Sequence, residues 1–340
     1  MKITILGRQP EIGIAELESV FGGQNVRVLG REAAIVKTNK LNVSHFGSIL
    51  KSGEIVFEVN SRDWRAVSKR ICEVFIRDFS NFEGKITLGI SAYQINTNAS
   101  EINRTLSKIK SELKKSSVSV RTISSKTTAL STAISHNNKL GLSEKKIEIL
   151  AVGAGEKTVV ALSEGAQNIT SYARRDQNRP RRDAFVGMLP PKLAQTMINL
   201  GVGENQPQIL FSKGQKLAEI PQILDPFCGT GTVLQEAILK GFKAHGTDLS
   251  DKMIEFSQEN IAWLMREFRP HGEVGEIFQA DATEANWDFS KNLQSVVCET
   301  YLGQPFSAPP SPKKLAEVRE NCNRIISNFL KNLAEQIPEG

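Results

Sequence analysis

The stretch from Pro221 to Ser250, PQILDPFCGTGTVLQEAILKGFKAHGTDLS, decides the fold of this chain. It begins with a short apolar segment, continues through a glycine-rich turn into a helical pattern, and ends with a second apolar segment closed by an acid. A strand, a tight turn, a helix and a second strand in this order form the first half of a doubly wound α/β sheet. We therefore predict an α/β fold here, with a ligand-binding edge at the turn.

The glycine-rich turn also indicates the kind of ligand. Gly229 and Gly231 would let a ligand approach the backbone where a side chain would collide. A dinucleotide site needs a third glycine, but Leu234 stands at that position. Asp225, at the tip of the first strand, would repel a pyrophosphate but suits the ammonium group of a methionine moiety. Both departures favour S-adenosylmethionine over NAD.

Two further acids follow predicted strands. Asp248 ends the strand AHGTD, where its carboxylate can accept both ribose hydroxyls of a bound nucleoside. Asp281 ends a third strand, GEIFQADAT, where a carboxylate can accept the adenine amino group. Capping of a helix is the alternative role. It is a minor alternative for Asp225 and Asp248, which flank the glycine turn, and a stronger one for Asp281, which Ala-Thr follows.

Charge is distributed unevenly along the 340 residues, although the net charge is only +6. Residues 1–200 contain 30 Lys and Arg against 18 Asp and Glu, whereas residues 201–340 contain 13 against 19. The basic part predicts a surface that binds a polyanion. The alternative is ordinary solvated lysine on helix faces.

Several classes of protein are disfavoured by the composition. No apolar run approaches the ~20 residues of a membrane helix, and the start, MKITILGRQPEIG, lacks the features of a signal peptide. The four cysteines have no paired spacing, so neither a metal site nor a disulfide framework is indicated. We expect a cytoplasmic protein with reduced thiols and no membrane contact.

The first half of the chain alternates between strand and helix patterns. Residues 1–80 predict a small α+β domain, and residues 81–166 predict a second one that begins with the strand KITLGISAYQ. A helix in the second domain, ASEINRTLSKIKSELKKSS, has one lysine-rich face and one apolar face, which consists of Ile102, Leu106, Ile109 and Leu113.

Residues 167–184 are polar and basic, and we predict a linker there. Its arginines, with a tyrosine beside them, are candidates for contacts with RNA phosphates and for stacking on a base. Pairing of these arginines with acids of the neighbouring domains is an equally favoured alternative. The candidate RNA-binding residues are Tyr172, Arg174, Arg175, Arg179, Arg181 and Arg182.

The segments LDPFCGTGT, YARRDQNRPRRD and GMLPPKLAQTMINL together resemble the THUMP-domain tRNA guanosine N2-methyltransferases, a group that modifies guanosine 10. The resemblance covers most of the chain. It implies a ferredoxin-like domain over residues 1–80, a THUMP RNA-binding domain over 81–166, and a Rossmann-type methyltransferase domain over 185–340.

The resemblance also implies partners and a cofactor. The expected substrate is tRNA rather than DNA, and the expected cofactor is S-adenosyl-L-methionine. The cofactor-binding residues that carry over are Asp225, Pro226, Cys228, Gly229, Gly231, Asp248 and Asp281.

The candidate catalytic segment, VVCETYLGQP, departs from the family pattern. Amino-group methyltransferases have Asp-Pro-Pro-Tyr after the fourth strand, where the acid and a carbonyl bind the target amine and the tyrosine stacks on the flipped base. Here Glu299 keeps an acceptor and Tyr301 supplies a ring, but both prolines are missing. Glu299 and Tyr301 are the predicted catalytic residues. An RNA-binding protein with a degenerate or redirected site is the alternative.

The end of the chain is short for a complete methyltransferase domain. After the fourth strand only about 40 residues remain, and they predict a proline-rich loop and one helix. The fourth strand would then be an unpaired edge. We expect either that the chain is truncated relative to its natural length or that another chain covers this edge.

Overall fold

The computed structural model describes residues 1–183, 188–204, 206, 220–289 and 293–337. The chain divides into two compact units, residues 1–170 and residues 171–340. Within the described ranges, no helix is long and apolar enough to cross a membrane.

The first unit is built on one mixed sheet of eight strands in the order β2-β3-β1-β4-β8-β7-β5-β6. The strands are β1 (Lys2–Leu6), β2 (Val26–Val28), β3 (Ala33–Val36), β4 (Ile49–Val59), β5 (Lys85–Tyr93), β6 (Ser119–Thr122), β7 (Lys146–Ala154) and β8 (Lys157–Ala166). The helices are α1 (Pro10–Phe21), α2 (Trp64–Phe79), α3 (Ala99–Lys115) and α4 (Thr132–Asn137). Because β4 pairs with β8, the sheet continues across residue 80. The assignment of residues 1–80 and 81–166 to two separate domains stays a prediction.

Helix α3 forms where its apolar spacing predicts it. The side chain of Asn98 accepts a hydrogen bond from the amide of Glu101 and caps the helix start. The four predicted apolar residues, from Ile102 to Leu113, are buried against the sheet. The opposite face exposes Arg104, Lys108, Lys110, Lys114 and Lys115. The helix therefore presents a row of cations to solvent.

A buried ion pair connects β4 to β7 across the intervening strand β8. Lys51 Nζ lies 2.5 Å from Glu148 Oε1 and donates to the carbonyl of Leu130 at 2.8 Å. The hydroxyl of Ser91 donates to the same carboxylate oxygen at 2.6 Å. Burial lowers the pKa of Lys51, and the charge and hydrogen bond of Glu148 oppose that shift. The pair is thus a buried polar contact between strands whose other buried side chains are mostly apolar.

Residues 171–340 contain a parallel sheet in the order β11-β10-β9-β12. Its strands are β9 (Gln222–Asp225), β10 (Lys243–Asp248), β11 (Glu273–Gln279) and β12 (Leu293–Val296). The helices are α6 (Pro191–Val202), α7 (Thr232–Leu239), α8 (Asp251–Phe268) and α9 (Pro312–Ala334), and α5 (Ile169–Gln177) occupies part of the predicted linker. The predicted parallel α/β sheet is confirmed.

The predicted fourth strand, β12, lies at one edge of this sheet. It pairs with β9 in parallel register, and in the described part of the chain its other side has no partner strand. Apolar side chains of α6, α7 and α8 cover one face of the sheet. Phe329 and Leu333 of α9 pack with Trp287 on the other face.

Loss of the buried cation should destabilise the first unit. We expect Lys51→Met to lower the free energy of unfolding by roughly 3–5 kcal/mol, because the Glu148 carboxylate stays buried without its partner. The double variant Lys51→Met, Glu148→Gln should recover most of the loss. Urea unfolding checks both variants. A double variant as unstable as the single one would contradict a role for the unpaired charge.

Candidate functional site

The register of the parallel sheet brings the three predicted acids to the carboxyl ends of its strands. Gly246 of β10 pairs with Asp225, the last residue of β9, so that Asp248 lies just beyond it on the neighbouring strand. Asp281 follows the end of β11 by two residues. All three therefore lie at the carboxyl ends of the strands, which is where open α/β sheets bind ligands.

The glycine-rich turn is fastened to the end of β10. The amide of Gly229 donates to Asp248 Oδ2 at 2.9 Å, and the amide of Cys228 donates to the carbonyl of Thr247 at 2.9 Å. The other carboxylate oxygen of Asp248 accepts the amide of Ser250 at 2.9 Å. The two loops at this edge are thus held together through one aspartate.

The two glycines of the turn are required for different reasons. Both have left-handed backbones, with φ of +49° at Gly229 and +80° at Gly231. A Cβ on Gly229 would meet nothing within 4 Å, as the predicted approach of a ligand to this backbone requires. A Cβ on Gly231 would lie 2.4 Å from Ser257 Oγ of α8. Gly231 therefore serves the packing of α8 against the turn.

Asp225 is almost completely buried, with 2% of its surface exposed. One carboxylate oxygen accepts the amide of Phe227 at 3.1 Å. Burial raises the pKa of Asp225 to about 8; the Phe227 amide opposes the shift, while the charges of Asp248 and Glu299 add to it. The carboxyl group of Asp225 is therefore largely protonated at neutral pH.

The predicted catalytic residues follow β12 in an extended segment. Val297 is buried and donates its amide to the carbonyl of Leu224, which fixes the start of the segment beside β9. Glu299 is exposed and acts electrostatically on Asp225. Tyr301 is 39% exposed, and Leu302 and Phe306 are exposed as well. An exposed acid whose charge reaches Asp225 thus follows β12, and after it come apolar side chains open to solvent.

Other members of the predicted cofactor set have local structural roles. Asp281 accepts both the amide and the hydroxyl of Thr283, at 2.9 and 2.7 Å, and so stabilises a turn instead of capping a helix. The carbonyl of Pro226 accepts the hydroxyl of Thr247 at 3.4 Å. A contact of Asp281, Pro226 or Cys228 with a cofactor stays a prediction.

The cysteines near this edge are neutral thiols. Burial raises the pKa of Cys228 well above its usual value and raises that of Cys298 to about 12, and the charge of Asp225 adds to both shifts. A thiolate nucleophile needs a lowered pKa. Nucleophilic catalysis by either cysteine is accordingly disfavoured.

Three of the predicted RNA-binding arginines are paired with acids. Arg175 donates to both carboxylate oxygens of Glu236, at 2.5 and 3.2 Å. Arg181 pairs in the same bidentate way with Glu259, at 2.8 and 2.9 Å, and Arg174 pairs with Glu267. All three acids belong to α7 or α8. The alternative stated for these residues, pairing with acids of the protein, describes the observed contacts.

Burial corrects the prediction for part of this segment. Tyr172 is buried, and its ring lies against the guanidinium of Arg175, 4.5 Å from the ring centroid, so it offers no face to a base. Arg179 is 3% exposed and donates to the hydroxyl of Thr232 at 2.6 Å. Both side chains are buried within the second unit. Arg182 is exposed, and its contact with RNA stays a prediction.

Two contributors to the edge were missed from the sequence. Ser257 lies under Gly231, and Phe227 packs its ring edge-on against Phe329 of α9, with 5.1 Å between centroids. Both contacts join residues that are distant in sequence. No local pattern in either segment signals them.

Comparison with known proteins identifies relatives of this chain. The tRNA (guanine(10)-N2)-dimethyltransferase of Methanothermobacter thermautotrophicus is 28% identical over 168 residues, which are 48% of this chain and 40% of that protein. The protein of the same name from Methanocaldococcus jannaschii is 27% identical over 219 residues, 64% of this chain and 57% of that protein. The chain is a relative of these methyltransferases. The predicted resemblance is thereby confirmed.

The sequence similarity covers only part of each relative. The matches span less than two thirds of each relative's length, and no established family profile matches the sequence. Among solved structures, TrmN from Thermus thermophilus aligns over 100% of this chain and 86% of its own, with a TM-score of 0.50 and 15% identity. At this identity the likeness concerns the fold alone.

Substitution of the two turn glycines should separate backbone strain from packing. We expect Gly229→Ala to cost about 1–2 kcal/mol of stability, because only the left-handed backbone disfavours a side chain. Gly231→Ala should cost more, since its Cβ must also displace Ser257. Thermal unfolding checks the order. Equal losses would contradict the packing role assigned to Gly231.

Proposed function

We propose that this chain is an S-adenosylmethionine-dependent tRNA methyltransferase that acts on an exocyclic amine, the N2 group of guanosine. One observation carries the proposal: Asp225, the open backbone at Gly229 and Asp248 lie at the same sheet edge as Glu299. The names of the two archaeal relatives support the same substrate class. Because the chain matches only part of their length, activity and substrate belong to the proposal.

The residues present fit S-adenosylmethionine. The open space over Gly229 leaves room for a ligand against the backbone of the turn. Asp248 uses one acceptor position on each oxygen for Gly229 and Ser250, and each carboxylate oxygen has a second lone pair for a ribose hydroxyl. Asp225 would receive the ammonium of the methionine moiety. This cationic ligand would favour the ionised form of a carboxyl group that burial keeps protonated.

The chain's own contribution to the reaction is positioning. The cofactor supplies an electrophilic methyl group on its sulfonium. An exocyclic amine is a poor nucleophile while its lone pair is delocalised into the ring, so a hydrogen-bond acceptor must orient it. Glu299 is exposed just after β12 and would accept a hydrogen bond from that amine. Tyr301, two residues later, would stack on the base.

The tRNA would be held by the first unit. Residues 1–170 contain 24 Lys and Arg against 16 Asp and Glu. The exposed cations of α3 form a row suited to phosphates. Arg174, Arg175 and Arg181, by contrast, are paired with acids of α7 and α8. The basic surface proposed for RNA therefore lies on the first unit, as expected for the implied THUMP domain.

Transfer of a methyl group tests the function directly. Incubation of the protein with unmodified tRNA and labelled S-adenosylmethionine should yield labelled N2-methylguanosine, detected by nucleoside mass spectrometry. Glu299→Gln should lower the rate by roughly 10²-fold or more, because the amide is a weaker acceptor. Glu273→Gln is the matched control and should leave the rate unchanged. Glu273 is an exposed acid at the start of β11, at the amino ends of the parallel strands and thus at the end of the sheet opposite the site.

The outcomes of this assay separate the two candidate functions. Cofactor binding and RNA binding without any labelled nucleoside would establish the alternative, an RNA-binding protein with a degenerate site. Failure to bind the cofactor would contradict both the site and the function. A label in a nucleoside other than guanosine would refute the proposed target.

The protonation of Asp225 should make cofactor affinity depend on pH. In the free protein this carboxyl group keeps its proton below about pH 8, and only the ionised form attracts an ammonium. Binding should therefore release a proton, and affinity for S-adenosylmethionine should rise by up to about tenfold per pH unit between about pH 6 and about pH 7.5. Isothermal titration of wild type and Asp225→Asn checks this. A variant with the wild-type slope would exclude Asp225 as the titrating group.

A further inference from the structure

The C-terminal half of helix α9 contacts two turns: the glycine-rich turn, here called the cofactor turn, and the turn that begins at Asp281. Phe329 packs on Phe227, which lies within the turn DPFCG, and it is buried. The side-chain amide of Asn332 donates to the carbonyls of Ala282 and Ala285, at 3.1 and 2.9 Å. This half of the helix is therefore fixed relative to the cofactor edge.

The N-terminal half of α9 supports the candidate catalytic segment. Gly303, two residues after Tyr301, has a φ of +92° and lies directly on the helix. A Cβ at this position would stand 2.8 Å from Val318 Cγ1 and 3.3 Å from Cys322 Sγ. A side chain there would have to push the segment away from α9, and the backbone conformation would disfavour it in addition.

We propose that Gly303 is a positioning residue: its contact with Val318 and Cys322 holds Glu299 and Tyr301 at a fixed distance from the cofactor turn, with α9 as the rigid connection. This inference rests on the proposed function, because it assigns a role in the same reaction. In this proposal Gly303 contacts neither the tRNA nor S-adenosylmethionine. It acts through Glu299 and Tyr301.

The segment needs such a support because it has no regular structure of its own. Residues 297–311 form neither helix nor strand. The two prolines that would stiffen this position in related amino-group sites are absent. An acceptor must be held within about 0.5 Å of its productive position to orient an amine. Contact with a helix that is itself anchored on Phe227 supplies this restraint by packing.

The test adds a side chain at Gly303 and then removes the atoms of Val318 that this side chain would meet. Gly303→Ala should lower kcat for tRNA methylation by about tenfold or more, with the affinity for S-adenosylmethionine within about twofold of wild type. Val318→Ala removes the nearest contacting atom, so Gly303→Ala, Val318→Ala should recover part of kcat. Gly155→Ala is the matched control. Gly155 also has a positive φ, +58°, but open space around it, and it lies in a turn of the first unit.

A second readout does not depend on activity. Cys322 lies under Gly303, so lifting the segment should expose its thiol. Peptide mass spectrometry should show Cys322 alkylated several-fold faster in Gly303→Ala than in wild type, and the double variant should fall back toward Val318→Ala alone. If Gly303→Ala fails to fold, Val318→Phe pushes the segment from the helix side while the glycine is kept, and both effects are expected from it.

The outcomes distinguish this inference from the function on which it rests. A wild type that binds tRNA and cofactor but transfers no methyl group would refute the proposed function, and the alkylation rates would still decide whether Gly303 anchors the segment. Unchanged kcat and unchanged alkylation in Gly303→Ala would overturn the inference. An equal loss of kcat in Gly303→Ala and in the double variant would also overturn it, because relief of the contact would then have no effect.

Discussion

The hydrogen bonds that Asp248 accepts are the constraint on which the rest of the site depends. Its two oxygens receive the amides of Gly229 and Ser250, which belong to the loops after β9 and β10. Parallel pairing brings the two strand ends together, and the aspartate then fixes the conformation of both loops. Because Gly231 has no side chain, α8 can pack closely against the turn.

The two units differ in how their basic side chains are paired. In the second unit, acids of α7 and α8 neutralise Arg174, Arg175 and Arg181. Asp225, Asp248 and Glu299 lie close enough for their charges to interact. An edge lined by carboxyl groups favours a cationic ligand over an anionic one. The first unit exposes the lysines of α3 to solvent.

Local patterns in the sequence predicted the elements of the second unit well. The order of strand, glycine turn, helix and acid fixes the turn and the positions of Asp225 and Asp248, because these features lie within thirty residues of one another. The buried face of α3 followed from its spacing. The arginine-rich segment could not be resolved this way, since its partners Glu236 and Glu259 are about sixty or more residues away. The contact of Gly303 with α9 could not be predicted either, because it depends on the three-dimensional path of the segment and not on a local sequence pattern.

The most direct test of a cofactor site at this edge is a crystal structure of the protein with S-adenosylhomocysteine, which retains the ribose and methionine groups. The ribose hydroxyls should lie within hydrogen-bond distance of Asp248, the amino group should contact Asp225, and the turn should keep the conformation described at Gly229 and Gly231. Electron density for the ligand elsewhere, or a ribose turned away from Asp248, would contradict the account.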